Sequence, residues 1–192
     1  MDMETDERTP LHWAAMKGDF AKVVDLLSKR ADPNTSDEDG WTPLITAAAA
    51  GYTYIVSTLI ESGANSKAKT KEGRGAFFYA CSKCFLPIVD YYLQNDLADW
   101  EPDKFGENPL QRAIICPRCN IEILNLFKRY DAPFDCIDSE GNTLLHKICY
   151  EGRKDLADWF LKNTSLTLDG PLNNDKKTPK DLFPIDFDKS YD

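Results

Sequence analysis

The sequence has only two histidines, no apolar run of membrane-spanning length, and fewer basic than acidic side chains. Each shortage excludes something. A spanning helix needs roughly 18 or more consecutive apolar residues, and no such stretch occurs, so a membrane role is not expected. Lys and Arg number 23 against 32 Asp and Glu, giving a net charge of -9. Because a phosphate backbone is bound by clustered cations, nucleic acid is a poor main partner and a basic protein a better one. The acidic opening MDMETDERT lacks the basic-then-apolar order of a secretory leader, so the cytoplasm and nucleus are the expected locations. Nothing places a Ser or Cys and an acid beside His12 or His146 to form a hydrolytic triad. P-loop, GxGxxG and HExxH patterns are also missing. No catalytic residue, no metal or other cofactor and no enzymatic activity are expected.

What the chain does have is a period. TPLHWAA begins at Thr9, TPLITAA at Thr42, GAFFYAC at Gly75, NPLQRAI at Asn108, TLLHKIC at Thr143 and TPKDLF at Thr178, in steps of 33, 33, 33, 35 and 35 residues. A Gly-bearing polar turn precedes the anchor at Gly40, Gly73, Gly106 and Gly141, where the chain can reverse with positive φ at little steric cost. Thr then caps a helix, and Pro takes the first helical position, where its missing N–H would be unpaired anyway. After about nine residues comes a break such as Lys17-Gly18 or Ala50-Gly51. Second helices are predicted at Phe20 to Ser28, Tyr54 to Glu61, Leu86 to Gln94, Ile121 to Lys128 and Lys154 to Leu161. Their apolar positions, Val23, Val24, Leu26 and Leu27 in the first, recur at helical spacing and should face neighbouring repeats.

A 33-residue period opening on TPLHxA is the ankyrin signature. The predicted fold is therefore all-α, an ankyrin-repeat solenoid of about five helix-pair repeats plus a partial C-terminal one. Repeats start near 5, 38, 71, 104, 139 and 174 in a single domain over 1–192, with a tail at 184–192. One helix pair cannot bury its apolar face alone, so each repeat leans on the next.

The order of the openings is narrower. Leu11-His12-Trp13-Ala14, Gly40-Trp41-Thr42-Pro43-Leu44, Phe77 to Lys83, Gln111-Arg112-Ala113, Glu140 to His146 and Lys177-Thr178-Pro179 resemble, repeat by repeat, the gankyrin family of ankyrin chaperones of the proteasome regulatory particle. The family's first repeat has no counterpart, and two-residue insertions fall near Cys116 to Cys119 and near Leu168 to Pro171. The resemblance implies a monomeric protein whose concave face grips the C-terminal domain of a proteasomal ATPase, with Asp6, Arg8, Glu38 and Lys83 at the matching positions. Trp41, near a repeat junction, and Trp100, expected exposed between Asp99 and Glu101, complete the candidate partner-binding set. The animal member's LxCxE retinoblastoma-binding segment corresponds to Lys147-Ile148-Cys149-Tyr150-Glu151. Here Lys replaces the leading Leu, so that activity is not carried over.

Two other readings stay open. One is a generic ankyrin scaffold, or an inhibitor of a kinase or transcription factor. The other is a zinc- or redox-responsive protein built on Cys81 with Cys84 and Cys116 with Cys119, since four thiolates at such spacings can hold zinc. Against metal, Cys81 occupies the small-residue slot of an inner helix, where burial explains it. His12 and His146, each fourth in its opening, are expected to hydrogen-bond between loops.

Overall fold

The computed structural model describes residues 8–183. Asp6 and the tail 184–192 lie outside the described residues. Two compact units, 1–99 and 100–192, emerge from the backbone contacts and are taken separately.

The first unit holds three helix pairs: α1 (Pro10–Lys17) with α2 (Phe20–Ser28), α3 (Pro43–Ala50) with α4 (Thr53–Glu61), and α5 (Ala76–Ser82) with α6 (Leu86–Gln94). The first helices of the pairs pack in one row, α1 on α3 on α5, and the second helices in another, α2 on α4 on α6. The second unit repeats the plan with α7 (Pro109–Ile115), α8 (Ile121–Arg129), α9 (Leu144–Tyr150) and α10 (Lys154–Asn163): α7 packs on α9 and α8 on α10.

The helix starts follow the predicted chemistry. Thr42 Oγ1 accepts from Ile45 N at 3.2 Å, Asn108 Oδ1 from Gln111 N at 2.9 Å and Thr143 Oγ1 from His146 N at 3.4 Å. Pro occupies the opening turn of α1, α3 and α7. Leu11, Leu44, Phe77, Leu110 and Leu145 follow at one phase and are all buried, so the same face of every first helix feeds the core. Gly40 and Gly141 have φ of 80° and 78°. A Cβ on Gly40 would lie 3.1 Å from the Lys69 carbonyl oxygen, and one on Gly141 3.1 Å from Asn174 N. Each glycine thus both reverses its own turn and lets the next hairpin approach.

Some boundaries and faces differ from expectation. α4 starts one residue early, while α8 and α10 run on to Arg129 and Asn163. Val23 is fully buried, but Val24 is 43% exposed. One residue on is about 100° around the helix, which turns Val24 out of the interface that Val23 fills and toward a shallow groove beside Thr58 of α4 and Ser62 at its C-cap. The two extra residues of the fourth repeat lengthen the turn between α7 and α8, where Cys119 N donates to Cys116 O at 2.8 Å. Among the described residues of the last repeat a 3₁₀ turn forms, Lys180–Leu182. Asp181 Oδ2 accepts from Thr178 N at 2.8 Å and so caps it.

Candidate functional site

The loops that precede the first helices are built on one side chain each. Asp37 Oδ1 accepts from the N–H groups of Asp39 and Trp41 at 3.0 and 2.8 Å. Asp103 does the same for Phe105 and Glu107 at 2.9 and 3.1 Å, Asp138 for Glu140 and Asn142 at 3.0 and 2.8 Å, and Asn173 for Asp175 and Lys177 at 3.1 and 3.0 Å. Thr70 Oγ1 takes Arg74 N at 3.3 Å. Sequence reasoning missed this column. Its signal was present, since four of these residues stand three positions before a turn glycine, and Asn173 stands three before Lys176, which takes the same positive φ.

The two histidines join neighbouring loops as expected. Thr9 N donates to His12 Nδ1 at 3.1 Å, and His12 Nε2 lies 2.9 Å from the Trp41 carbonyl oxygen. His146 repeats the pattern with Thr143 N at 3.1 Å and the Lys177 carbonyl at 3.0 Å. A carbonyl only accepts, so Nε2 carries the proton and Nδ1 is bare in both rings. Gln111 stands at the equivalent place in α7. Its Oε1 accepts from Asn108 N at 2.8 Å, but its buried Nε2 finds no partner. Gln111→His should give that donor position a carbonyl to reach and raise stability by about 1 kcal/mol. An unchanged or lowered urea midpoint would contradict this.

In the first unit the candidate partner-binding residues form a chain of neighbours. The Arg8 guanidinium pairs with Asp37 at 3.1 Å and lies over the Trp13 ring, 5.9 Å from its centroid. Glu38, next to Asp37, is exposed. The Trp41 ring stacks on Tyr79 of α5 with centroids 4.7 Å apart. Lys83, one turn further on, is exposed at the end of that helix. In the second unit Trp100 departs from expectation: it is half-buried, with its ring edge-on to Phe127 of α8 at 5.7 Å. The apolar area of an indole finds a partner in that outer-row helix, so Trp100 is not the exposed tip that its acidic neighbours suggested. Trp159, buried, donates from Nε1 to Asn125 Oδ1 at 2.8 Å.

Also in the second unit, Lys147 on α9 lies 2.7 Å from Asp138 and 3.8 Å from Glu107, and Glu107 also takes Arg112 at 3.2 Å. The cation thereby ties two successive hairpins. Burial raises the Asp138 pKa, but the Lys147 ammonium and the Asn142 N–H donors outweigh it and leave the carboxyl below its ordinary range.

Of the two cysteine pairs, Cys81, Cys116 and Cys119 are buried and Cys84 is half-buried. Cys81 is fully buried in α5, and burial, with a smaller contribution from Cys84, holds its thiol well above the usual range. Cys116 and Cys119 are also buried, and Arg153 Nη2 donates to the Cys119 carbonyl at 2.7 Å. Burial lifts Cys149 to about 12. Metal binding needs thiolates, which burial disfavours at Cys81 and Cys149. Among the described residues no group of three or more His, Cys, Asp or Glu is arranged to hold a metal ion.

Residues 1–70 match the family model for ankyrin repeats in three copies. The chain carries ankyrin repeats. Beyond residue 70 the same ankyrin unit, hairpin loop followed by helix pair, continues to the last 3₁₀ turn. Over 63 residues, 32% of the chain, the sequence is 49% identical to the 26S proteasome non-ATPase regulatory subunit 10 of Dictyostelium discoideum, of which the match covers 27%. Over 118 residues, 59% of the chain, it is 27% identical to the probable 26S proteasome regulatory subunit p28 of Saccharomyces cerevisiae, of which 52% is covered. The palmitoyltransferase AKR1 of Debaryomyces hansenii is 31% identical over 107 residues, 54% of the chain but 13% of that protein. The matched stretches thus span about a quarter of the first relative and about half of the second.

Proposed function

We propose that the chain is a non-catalytic protein-binding module of the gankyrin type, which engages the C-terminal domain of a proteasome regulatory-particle ATPase subunit. The observation that carries this reading is the similarity to two proteasome regulatory subunits from different organisms, one at 49% identity over 63 residues. The similarity to a palmitoyltransferase supports only shared repeats, because it reaches 13% of that enzyme. The mechanism is steric and electrostatic: a monomer in the cytoplasm and nucleus occupies one subunit's exposed domain and delays premature docking until the proper partner assembles. Arg8, Glu38, Trp41 and Lys83 supply contacts from the first unit, joined by Asp6 and Trp100. Opposite charges on one surface set the register of the complex as well as its attraction.

The test is direct binding to the isolated C-terminal domains of the regulatory-particle ATPase subunits, at low and moderate salt. Glu38→Lys and Lys83→Glu should each weaken one such complex about ten-fold with little change in melting temperature, since both side chains are exposed. Asp158→Lys on α10 is the control and should bind as the parent does. A loss of affinity confined to Asp158→Lys would move the binding face to the outer helices. Binding to no ATPase domain, with capture of a kinase or transcription factor from cells, would replace this reading by that of a generic scaffold or inhibitor.

A further inference from the structure

In the second unit a cleft of about 410 Å³ opens between α9, the hairpin at Glu140 to Asn142 and the final hairpin at Asn173 to Lys177. Its volume is within the range of ligand-holding pockets, roughly 300–1,000 Å³. Ile115 and Leu182 give it apolar walls. Tyr150, the last residue of α9, lines it with 71% of its surface exposed, an aromatic face left open among the described residues. Three carboxylates, Glu140, Glu151 and Asp175, stand around the same opening and are all exposed. Among the described residues none of the three is ion-paired to a cation. Of the two lysines in the lining, Lys147 is already neutralised by Asp138 at 2.7 Å, which leaves Lys177, among the described lining residues, to offset them.

A cleft with an exposed ring, apolar walls and surplus negative charge complements one kind of side chain. An arginine presents a long apolar stem, a planar cation that stacks on an aromatic face, and a fork of donors that matches carboxylates. We infer that this cleft seats an arginine side chain from an extended basic segment of a protein partner, with the guanidinium over Tyr150 and paired to Glu151 or Glu140. The inference rests on the reading of the chain as a protein-binding module, and it adds an anchor in the second unit to the contacts of the first. The buried His146 at the cleft floor holds the final hairpin through the Lys177 carbonyl, so that the wall is in place before the ligand arrives.

The probe is a blocked Ala-Arg-Ala tripeptide, titrated into the full chain and followed by the backbone amide resonances of Tyr150, Glu151 and Asp175. Matched peptides with citrulline, which keeps the shape without the charge, and with glutamate serve as comparisons. Saturable shifts at these amides with the arginine peptide alone are expected. Tyr150→Ala and Glu151→Gln, both at exposed positions, should weaken the response about five-fold or more. Glu122→Gln, an exposed carboxylate on α8, should leave it unchanged. Shifts scattered over the acidic surface, an equal response to citrulline or glutamate, or equal weakening by Glu122→Gln would each overturn the proposal. ATPase-domain binding is measured on the same samples. A silent cleft beside an intact ATPase complex removes this inference alone, whereas an arginine-responsive cleft without ATPase binding removes only the proposed partner.

Discussion

Lys147→Met is expected to destabilise the protein by about 3 kcal/mol, the scale for removing one member of a buried ion pair. The side chains of Lys147 and Asp138 are 15% and 6% exposed, and their 2.7 Å contact is backed by Glu107 at 3.8 Å. Met keeps most of the apolar stem, so the loss isolates the charge. What remains is a carboxylate that still accepts from Glu140 N and Asn142 N but has lost its cation. Adding Asp138→Asn should restore part of the stability, because the stranded charge is the main penalty. The pH dependence follows from the lowered pKa of Asp138. Stability from this group is fully present above the unfolded value of about 3.9 and is lost as pH falls through the lower folded value. Without Lys147, burial dominates, and the acid limb of the stability profile should move to higher pH. Urea midpoints between pH 7 and pH 3 check both points. Coincident profiles for parent and variant would mean that water already solvates the pair.

His146→Ala should cost about 2–3 kcal/mol. The ring is fully buried, accepts from Thr143 N and donates to the Lys177 carbonyl. Alanine leaves the capped N–H without its acceptor, opens a cavity and frees the last hairpin from α9. The carbonyl itself keeps Asn173 N at 3.0 Å, so it is not orphaned. His146→Gln should cost only about 1 kcal/mol, because Gln111 shows that a glutamine oxygen satisfies the same N–H. Denaturation gives the totals. Hydrogen exchange at Asn173 to Lys177 should accelerate in the alanine variant beyond the global change, and uniform exchange would argue that the histidine only fills space.

The parts of this structure that depend on neighbours in sequence were legible before any coordinates. Thr, Pro and the turn glycines act within four residues of themselves, so their spacing set the helix starts, and the place of His12 and His146 in the repeat set their inter-loop bonds. Features that depend on distant residues were not legible. Trp100 reads as exposed beside Asp99 and Glu101, and Phe127, far along the chain, gives its ring a surface to pack on. The bond network of Lys147 reaches back to Asp138 and to Glu107, and no local pattern selects those partners among so many charges. Val24 was misread for a different reason. Its helix lies in the first described pair and meets only α4 in its row, so the buried stripe is narrower than the apolar stripe in the sequence.

The loop-building side chains separate what a hairpin is made of from what it displays. Asp37, Asp103 and Asp138 satisfy the loop N–H groups from within, while the residue just after each, Glu38, Lys104 or Ser139, is exposed. A negative, a positive and a neutral side chain already occupy that one position on the same backbone scaffold. Recognition can therefore drift there by single substitutions that the fold does not register. A repeat protein built this way can change its partner over evolutionary time without first having to relearn how to fold.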